Sequence, residues 1–198
     1  WLEERRNSRG EPLRPTTRRS YQQYLDAYLL PRWGDVPLPK IERADFRAWF
    51  ATFALDHPTL RARVYALLHA MMRSALEEEE PPLIQANPIA IRGGSQAGAP
   101  KTKKIVATPQ QVDELAAAMP ERLALAVYLG AWCQTRNGEA MALGRRDVTP
   151  EHISITRGVT WVHGQPIFGP PKTDAGTRDI AVPPHIAPRI REHLLAHA

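Results

Sequence analysis

Cysteine is almost absent from this sequence, which has Cys133 as the single thiol in 198 residues. One cysteine cannot form an intramolecular disulfide, and a zinc site built on several thiolates is excluded as well. The sequence also lacks hydrophobic runs long enough to cross a membrane, and its first residues have no signal-peptide pattern. We therefore expect a cytoplasmic protein without a membrane segment.

A nucleotide-binding loop is missing too. Gly93 and Gly98 have the separation of a P-loop, but Ala99 occupies the position that requires lysine, and no strand precedes the segment. The histidines show no metal-ligand spacing. The sequence therefore predicts neither a nucleotide cofactor nor a metal, and no other cofactor is indicated.

Acidic side chains are outnumbered, and the formal net charge is +5. Residues 1–91 carry 13 basic and 12 acidic side chains, whereas residues 92–198 carry 13 and 9. Such an excess favours an acidic partner, and nucleic acid is the first candidate. Most of the excess lies in the second half of the chain.

The first half has the apolar spacing of helices. Residues 1–15 mix charges of both signs and are interpreted as a linker or tail. The first apolar stripe, which we expect Pro31 to end, consists of Tyr21, Tyr24, Leu25, Tyr28 and Leu29. A second stripe surrounds Phe46, and Asp56 is expected to cap a third helix that contains Pro58 in its first turn. Residues 16–91 therefore predict an all-α bundle of about four helices.

Basic side chains off these stripes are candidates for contacts with phosphates. Arg18 and Arg19 lie outside the apolar stripe of the first helix. Residues 92–107 have the composition of an interdomain linker. Lys101, Lys103 and Lys104 within this linker could cross a duplex as a strap.

Residues 108–198 mix helix and strand patterns. Thr108 is a helix cap with Pro109 after it and Gln111 placed for a capping box, and Val112, Leu115 and Met119 are expected to be buried. Antiparallel strands are predicted at 152–156, 159–162, 167–168 and 178–182, with turns at Gly164 and 174–176. A last helix follows Pro184. The whole chain is thus expected to be mainly α with a small antiparallel β-sheet.

Arg136 and Glu139 are the polar pair at the centre of the second half. Their spacing of three residues puts both on one face of a helical turn, so the carboxylate can orient the guanidinium. A planar guanidinium suits two phosphate oxygens because it donates in two directions and keeps its charge. Taken alone, the spacing favours an ordinary surface ion pair over a phosphate site.

Two segments that include these residues resemble the motifs of one known family. TRNGEAMALGRRDV (135–148) resembles the first active-site motif of tyrosine recombinases, the phage integrase family, with matches at Arg136, Glu139, Leu143, Asp147 and Val148. GPPKTDAGTRDIAVP (169–183) resembles the family's β-hairpin that carries a catalytic lysine, which here is Lys172. The chain departs from the family at Gln134 and Thr135, where the family has glycine and an apolar residue. The first helices and Asn87-Pro88 resemble the family's core-binding domain.

The resemblance implies a fold and a reaction. It implies an N-terminal SAM-like helical bundle at 16–91 and a truncated α+β catalytic domain at 108–198. In the family, a tyrosine attacks a DNA phosphodiester and forms a 3′-phosphotyrosyl link, without metal or nucleotide. Arg136 would bind the non-bridging oxygens, Lys172 would protonate the leaving 5′-oxygen, and Glu139 would hold Arg136. The implied partners are double-stranded DNA with attachment-type sites and other protomers in a tetramer, in a bacterial or phage-encoded, nucleoid-associated protein.

Part of the family's catalytic set is missing from this sequence. No histidine is followed by arginine three residues later, and all five tyrosines precede Arg136. We therefore expect a fragment that lacks the nucleophile and is inactive alone. The alternative is a noncatalytic, basic helical DNA-binding module in which Arg136 and Lys172 only contact phosphates.

Overall fold

A computed structural model describes residues 1–77, 80–98 and 105–197 of the chain. The chain divides into two compact units, Trp1–Thr102 and Lys103–Ala198. This division falls inside residues 92–107, which the sequence predicts to be a linker; the linker itself stays a prediction. No described helix is long and apolar enough to span a membrane.

The first unit is built from helices. They are α1 (Pro15–Tyr24), α2 (Leu30–Trp33), α3 (Arg43–Thr52) and α4 (Pro58–Glu77). Phe46 and Phe50 of α3 are buried against Tyr65 of α4, with ring centroids 5.8 and 5.4 Å from the tyrosine ring. Aromatic rings at helical spacing therefore form this core, as their pattern predicts.

Pro31 does not end the first helix, in contrast to the prediction. A π-helical turn, Leu25–Leu29, joins α1 to α2, and the backbone N–H of Leu30 donates to the carbonyl of Leu25. Pro31 lies in the first turn of α2, where its missing N–H costs little. The wider turn thus carries the helix past the proline to Trp33.

The N-terminal residues of the chain and the first residue of α4 also differ from the sequence prediction. Residues 1–14 are not a free tail, because Trp1 packs against the helical core and its indole N–H donates to Ser74 Oγ at 2.8 Å. The fourth helix begins at Pro58, so His57 rather than Asp56 precedes its first residue. The carbonyl of His57 accepts the N–H of Arg61 at 3.0 Å.

The first unit continues past α4 without regular structure. The hydroxyl of Tyr65 lies 3.2 Å from the carbonyls of Ile89 and Ile91, and it accepts the N–H of Ile91 at 2.9 Å. A side chain at Gly94 would overlap the Tyr65 ring. These contacts hold residues 89–94 against α4, so part of the predicted linker packs on the first unit.

The second unit combines helices and short strands. Its helices are α5 (Pro109–Ala117), α6 (Glu121–Trp132), α7 (Asn137–Ala140) and α8 (Ala187–His197). Thr108 and Gln111 form the predicted capping box at α5. Val112 is buried as expected, but Leu115 is 56% exposed and Ala116 takes its place in the core. The prediction for Leu115 is therefore wrong.

The strands of the second unit pair antiparallel in two separate sheets. β1 (His152–Ile155) pairs with β4 (Arg178–Ala181), and Ile153 lies opposite Ile180. β2 (Gly158–Val162) and β3 (Gln165–Gly169) form a hairpin. Its tip is His163-Gly164, where both residues have positive φ. The core of this unit includes Ile153, Ile155, Ile186 and Ile190, all almost fully buried.

Candidate active site

Arg136 stands at the start of α7, after a break in the helical path. α6 ends at Trp132, and Gln134 takes a left-handed conformation with φ of 53°. Glycine favours this conformation, so the chain makes the turn at the position where the motif has departed from glycine. Arg136 then has extended φ and ψ as the N-cap of α7, and its side chain is 75% exposed.

Glu139 holds Arg136 by two hydrogen bonds. The backbone N–H of Arg136 donates to Oε2 of Glu139 at 3.0 Å, and Nη1 of Arg136 donates to Oε1 at 2.6 Å. The first bond is the carboxylate half of a capping box, and the second is an ion pair. The predicted pairing therefore exists in the structure, and it fixes one side of an accessible guanidinium.

The carboxylate of Glu139 is buried and ionised. Burial alone would raise its pKa, but hydrogen bonds from Arg178 and from the backbone and side chain of Arg136 lower the pKa to about 2. The Glu139 side chain is only 7% exposed. A buried carboxylate with two guanidinium partners is a fixed anchor rather than a surface ion pair.

Arg178 is the second partner of Glu139, and the sequence did not single it out as a site residue. Its Nη2 donates to Oε2 of Glu139 at 2.8 Å, and its Nη1 donates to the carbonyl of Gly176 at 3.0 Å. A signal was present, because Arg178 alternates with Ile180 and Val182 and so shares their inward face. A charged residue on an inward face needs a buried partner.

The sequence predicts Lys172 on or beside the tip of a hairpin formed by 167–168 and 178–182, with its turn at 174–176. In the structure Lys172 lies in the connection from β3 to β4, and these two strands belong to different sheets, so they form no hairpin. The side chain of Lys172 is exposed. The preceding residue, Pro171, packs so closely on Gly176 that a side chain at Gly176 would overlap it. The following residue, Thr173, lines a cleft of about 670 Å³ together with Arg136 and Arg178. The second unit thus brings both sequence motifs to one cleft.

Asp147 and Val148, the last residues of the first motif, support the backbone that follows α7. Asp147 accepts the N–H of Gly144 at 2.8 Å and pairs with Arg157 Nη2 at 3.1 Å. Arg157 Nε also donates to the carbonyl of Ala142 at 2.9 Å. Val148 is buried in the core of the second unit. These contacts tie the turn after α7 to the segment before β2.

The tyrosines have structural positions. Tyr21, Tyr24 and Tyr28 pack against the core of the first unit, and Tyr65 is buried there. Tyr128 is buried in the second unit and donates to Asp113 at 2.9 Å. Burial, together with this hydrogen bond, raises the pKa of Tyr128. None of these hydroxyl groups lines the cleft at Arg136.

The predicted phosphate contacts of the first unit lie on its surface. Arg18 and Arg19 are exposed, and Arg18 forms an ion pair with Glu3. Lys101, Lys103 and Lys104 lie outside the described residues. Among the residues that the structure describes, no group of three His, Cys, Asp or Glu side chains is placed to hold a metal.

Comparison with known proteins identifies relatives of this chain. No family model matches the sequence. The prophage phiRv2 integrase of Mycobacterium tuberculosis is 36% identical over 200 residues, which cover 100% of this chain and 50% of that protein. The integrase of Mycobacterium phage L5 is 32% identical, with coverage of 98% and 50%. The chain therefore spans about half the length of these curated relatives.

Solved structures share the fold. The integrase of the Tn1549 transposon, solved with a circular intermediate DNA, matches with a TM-score of 0.71 and 16% identity over 94% of this chain and 61% of that chain. The same integrase, solved with transposon right end DNA, matches with a TM-score of 0.71 and 15% sequence identity. The match covers 91% of this chain and 59% of that chain. The chain belongs to the tyrosine recombinase, or phage integrase, family, as its two motifs predict.

Proposed function

We propose that this chain is the part of an integrase-type DNA recombinase that binds duplex DNA and holds the scissile phosphate. The observation that carries the proposal is the cleft of the second unit, where Arg136 is fixed by buried Glu139 and remains 75% exposed. A guanidinium with one fixed side and one open side can accept an anion at little entropic cost. The relatives named as integrases support this reading.

Arg136 would bind the two non-bridging oxygens of the phosphate. As the nucleophile attacks, negative charge grows on these oxygens, and a preorganised guanidinium stabilises it more in the transition state than in the ground state. Glu139 would not touch the DNA. Its role would be to keep the guanidinium in one orientation.

Lys172 would act as the general acid. A tyrosine in its deprotonated form attacks phosphorus, the bond from phosphorus to the 5′-oxygen breaks, and the ammonium of Lys172 gives its proton to that oxygen. The products are a 3′-phosphotyrosyl link and a free 5′-hydroxyl, and the reverse reaction rejoins the strands. Support for this role comes from the exposure of Lys172 and from the next residue, Thr173, which lines the cleft with Arg136.

DNA contacts outside the cleft would come from basic side chains of both units. The exposed Arg18 and Arg19 are proposed to contact phosphates, as are Lys101, Lys103 and Lys104. The Tn1549 integrase structures contain transposon DNA, which supports duplex DNA as the partner class. Assembly of protomers into a tetramer on attachment-type sites is part of the same proposal.

Substitution of Arg136 by lysine in the full-length protein tests this function. The ammonium keeps the charge but cannot grip two oxygens, so the cleavage rate should fall about 100-fold while DNA affinity changes little. Arg191→Lys is the matched control, because Arg191 is an exposed arginine that pairs with Glu151. Equal losses of affinity and cleavage in Arg136→Lys would support the noncatalytic DNA-binding alternative instead.

A further inference from the structure

Arg178 joins two parts of the second unit that are separate in sequence. At the start of β4, its guanidinium reaches Glu139, 39 residues away, at 2.8 Å from Nη2 to Oε2. The other nitrogen, Nη1, lies 3.4 Å from Oε1 of Glu139 and donates to the carbonyl of Gly176 at 3.0 Å. One side chain thus bonds both to a carboxylate on α7 and to the turn before β4.

The two partners of Arg178, Glu139 and Gly176, each contact a segment that carries a candidate catalytic residue. Glu139 bonds to the backbone and the guanidinium of Arg136. Gly176 packs against Pro171, and this contact leaves no room for a side chain at Gly176. Pro171 immediately precedes Lys172. A shift of Arg178 would therefore displace Arg136 through Glu139, and it would displace Lys172 through Gly176 and Pro171.

We propose that Arg178 is a positioning residue that sets the places of Arg136 and Lys172 together. This inference rests on the proposed function, because it assigns those two residues a common task at one phosphate. Through Glu139, Arg178 fixes the direction of the Arg136 guanidinium. Through Gly176 and Pro171, it fixes the backbone that carries Lys172.

The geometry favours this role over a direct contact with DNA. Both terminal nitrogens of Arg178 already donate to protein oxygens, and its side chain is 28% exposed, compared with 75% for Arg136. A guanidinium is also needed for the task, because its planar fork donates in two fixed directions at once. The compact ammonium of lysine cannot reproduce both bonds in the same geometry.

The first measurement asks whether Arg178 holds Glu139, and it does not depend on the reaction. In the chain itself, the pKa of Glu139 can be measured by an NMR titration of its carboxyl carbon. The pKa should be higher in Arg178→Lys than the wild-type value of about 2, because the hydrogen bond from Arg178 contributes most to lowering it. Arg191→Lys is the control and should leave the titration unchanged. An unchanged titration in Arg178→Lys would overturn the proposal.

The second measurement uses full-length enzyme and two DNA substrates, one normal and one with sulfur in place of the bridging 5′-oxygen. A thiolate leaves without a proton, so the sulfur substrate removes the need for Lys172. Arg178→Lys should cleave normal DNA roughly 10- to 100-fold more slowly, because both groups are displaced, and sulfur should restore only part of the rate. DNA affinity should stay within about threefold of wild type, since the phosphate-binding side chains are intact.

Two further variants separate the displacement of Arg136 from that of Lys172. Gly176→Ala acts on Pro171 directly and on Arg136 only through Arg178, so sulfur should recover most of its defect. Glu139→Gln acts on Arg136 directly and on Lys172 only through Arg178, so most of its defect should persist on both substrates. Gly176→Ala also keeps the proposal testable if Arg178→Lys does not fold, which a thermal melt reveals.

The outcomes distinguish this inference from the proposed function. Parallel losses of affinity and cleavage in Arg178→Lys would show a DNA contact and overturn the positioning role. Full recovery or no recovery of Arg178→Lys by sulfur would also overturn it, because only one catalytic group would then depend on Arg178. If wild-type enzyme cleaves neither substrate, the proposed function fails, whereas the titration still decides whether Arg178 holds Glu139.

Discussion

At the scale of single residues, Glu139 is the point at which the candidate site is assembled. Its buried carboxylate accepts hydrogen bonds from Arg136 and Arg178, which come from α7 and β4. Removal of one partner from a buried charge pair is costly, because the other charge is left without compensation. Glu139 therefore stabilises the fold of the second unit as well as the direction of Arg136.

The ionisation of Glu139 predicts a dependence of stability on pH. The folded-state pKa of about 2 lies below the ordinary value of 4.5, so the ionised form stabilises the folded state above pH 4.5, and this contribution is lost as the pH falls toward 2. The contribution is at most about 3 kcal/mol, from 1.36 kcal/mol per unit of pKa. Urea unfolding at several pH values, followed by NMR signals of the second unit, measures it.

The comparison variant is Glu139→Gln. It should be less stable than wild type near neutral pH and should lose less stability between pH 4.5 and pH 2. Glu192→Gln removes an exposed carboxylate of α8 and controls for the change in net charge. A Glu139→Gln variant with the acid slope of wild type would refute the anchoring role of this carboxylate.

Sequence reasoning found part of this residue-scale arrangement. The spacing of Arg136 and Glu139 predicted their contact, because residues three apart share a helical face. Arg178 was not predicted as a site residue, since its bond to Glu139 spans 39 residues and no local pattern encodes such a contact. The same limit applies to Glu3, whose ion pair with Arg18 joins two positions that were considered separately.

At the scale of elements, the site depends on the close approach of α7 to β2. A side chain at Gly138 would lie 2.6 Å from the carbonyl oxygen of Val159, which belongs to the β2 backbone. Backbone cannot yield as a flexible side chain can, so α7 would have to move. Arg136 and Glu139 flank this glycine and would move with it.

Gly138→Ala should therefore destabilise the second unit by about 1–3 kcal/mol and impair cleavage by the full-length enzyme. Gly130→Ala is the matched control, because a side chain there meets only the carbonyl oxygen of Thr135 at 3.9 Å. Since Gly130 lies inside α6, alanine should be neutral or stabilising by up to about 1 kcal/mol. Thermal melts of the two variants make the comparison, and equal stability would contradict the close packing of α7 on β2.

The starts and ends of helices and strands were predicted correctly only where the sequence has a local signal. The capping box at Thr108 and the strand that begins at His152 were predicted correctly, because each has a local signal. The π-helical turn at Leu25–Leu29 was not predicted, since proline ordinarily ends a helix and only the path of the chain to Trp33 shows that it does not. Leu115 was assigned to the core from its period, but the smaller Ala116 packs there instead.

At the scale of the whole molecule, the positive charge of the chain predicts that it binds DNA, and the positions of its tyrosines predict that it does not cleave DNA. The chain should bind duplex DNA, and the logarithm of its binding constant should fall with the logarithm of salt concentration as counterions are released. Tyr65 and Tyr128 are buried and hydrogen-bonded, so neither can attack a phosphate.

A gel assay with a nicked substrate that traps cleaved DNA tests the second half of this prediction. No covalent adduct should form with the chain alone. The charge-reduced variant Arg18→Gln with Arg19→Gln should lower the salt slope by up to about two, because each arginine that binds a phosphate accounts for about one unit of the slope. A covalent adduct would show that one of the five tyrosines of the chain is a nucleophile.

The account as a whole rests on the claim that the two motifs form one phosphate-cleaving site, and the most direct measurement concerns Lys172. In the full-length enzyme, Lys172→Ala should cleave normal DNA about 100-fold more slowly or worse, because an alkoxide leaves poorly without a proton. DNA with sulfur at the bridging 5′-position should be cleaved by this variant at nearly the wild-type rate, while Arg136→Ala should stay slow on both substrates. If sulfur does not rescue Lys172→Ala, or if both substrates are weakened alike together with DNA affinity, Lys172 is a phosphate contact and the proposed chemistry is contradicted.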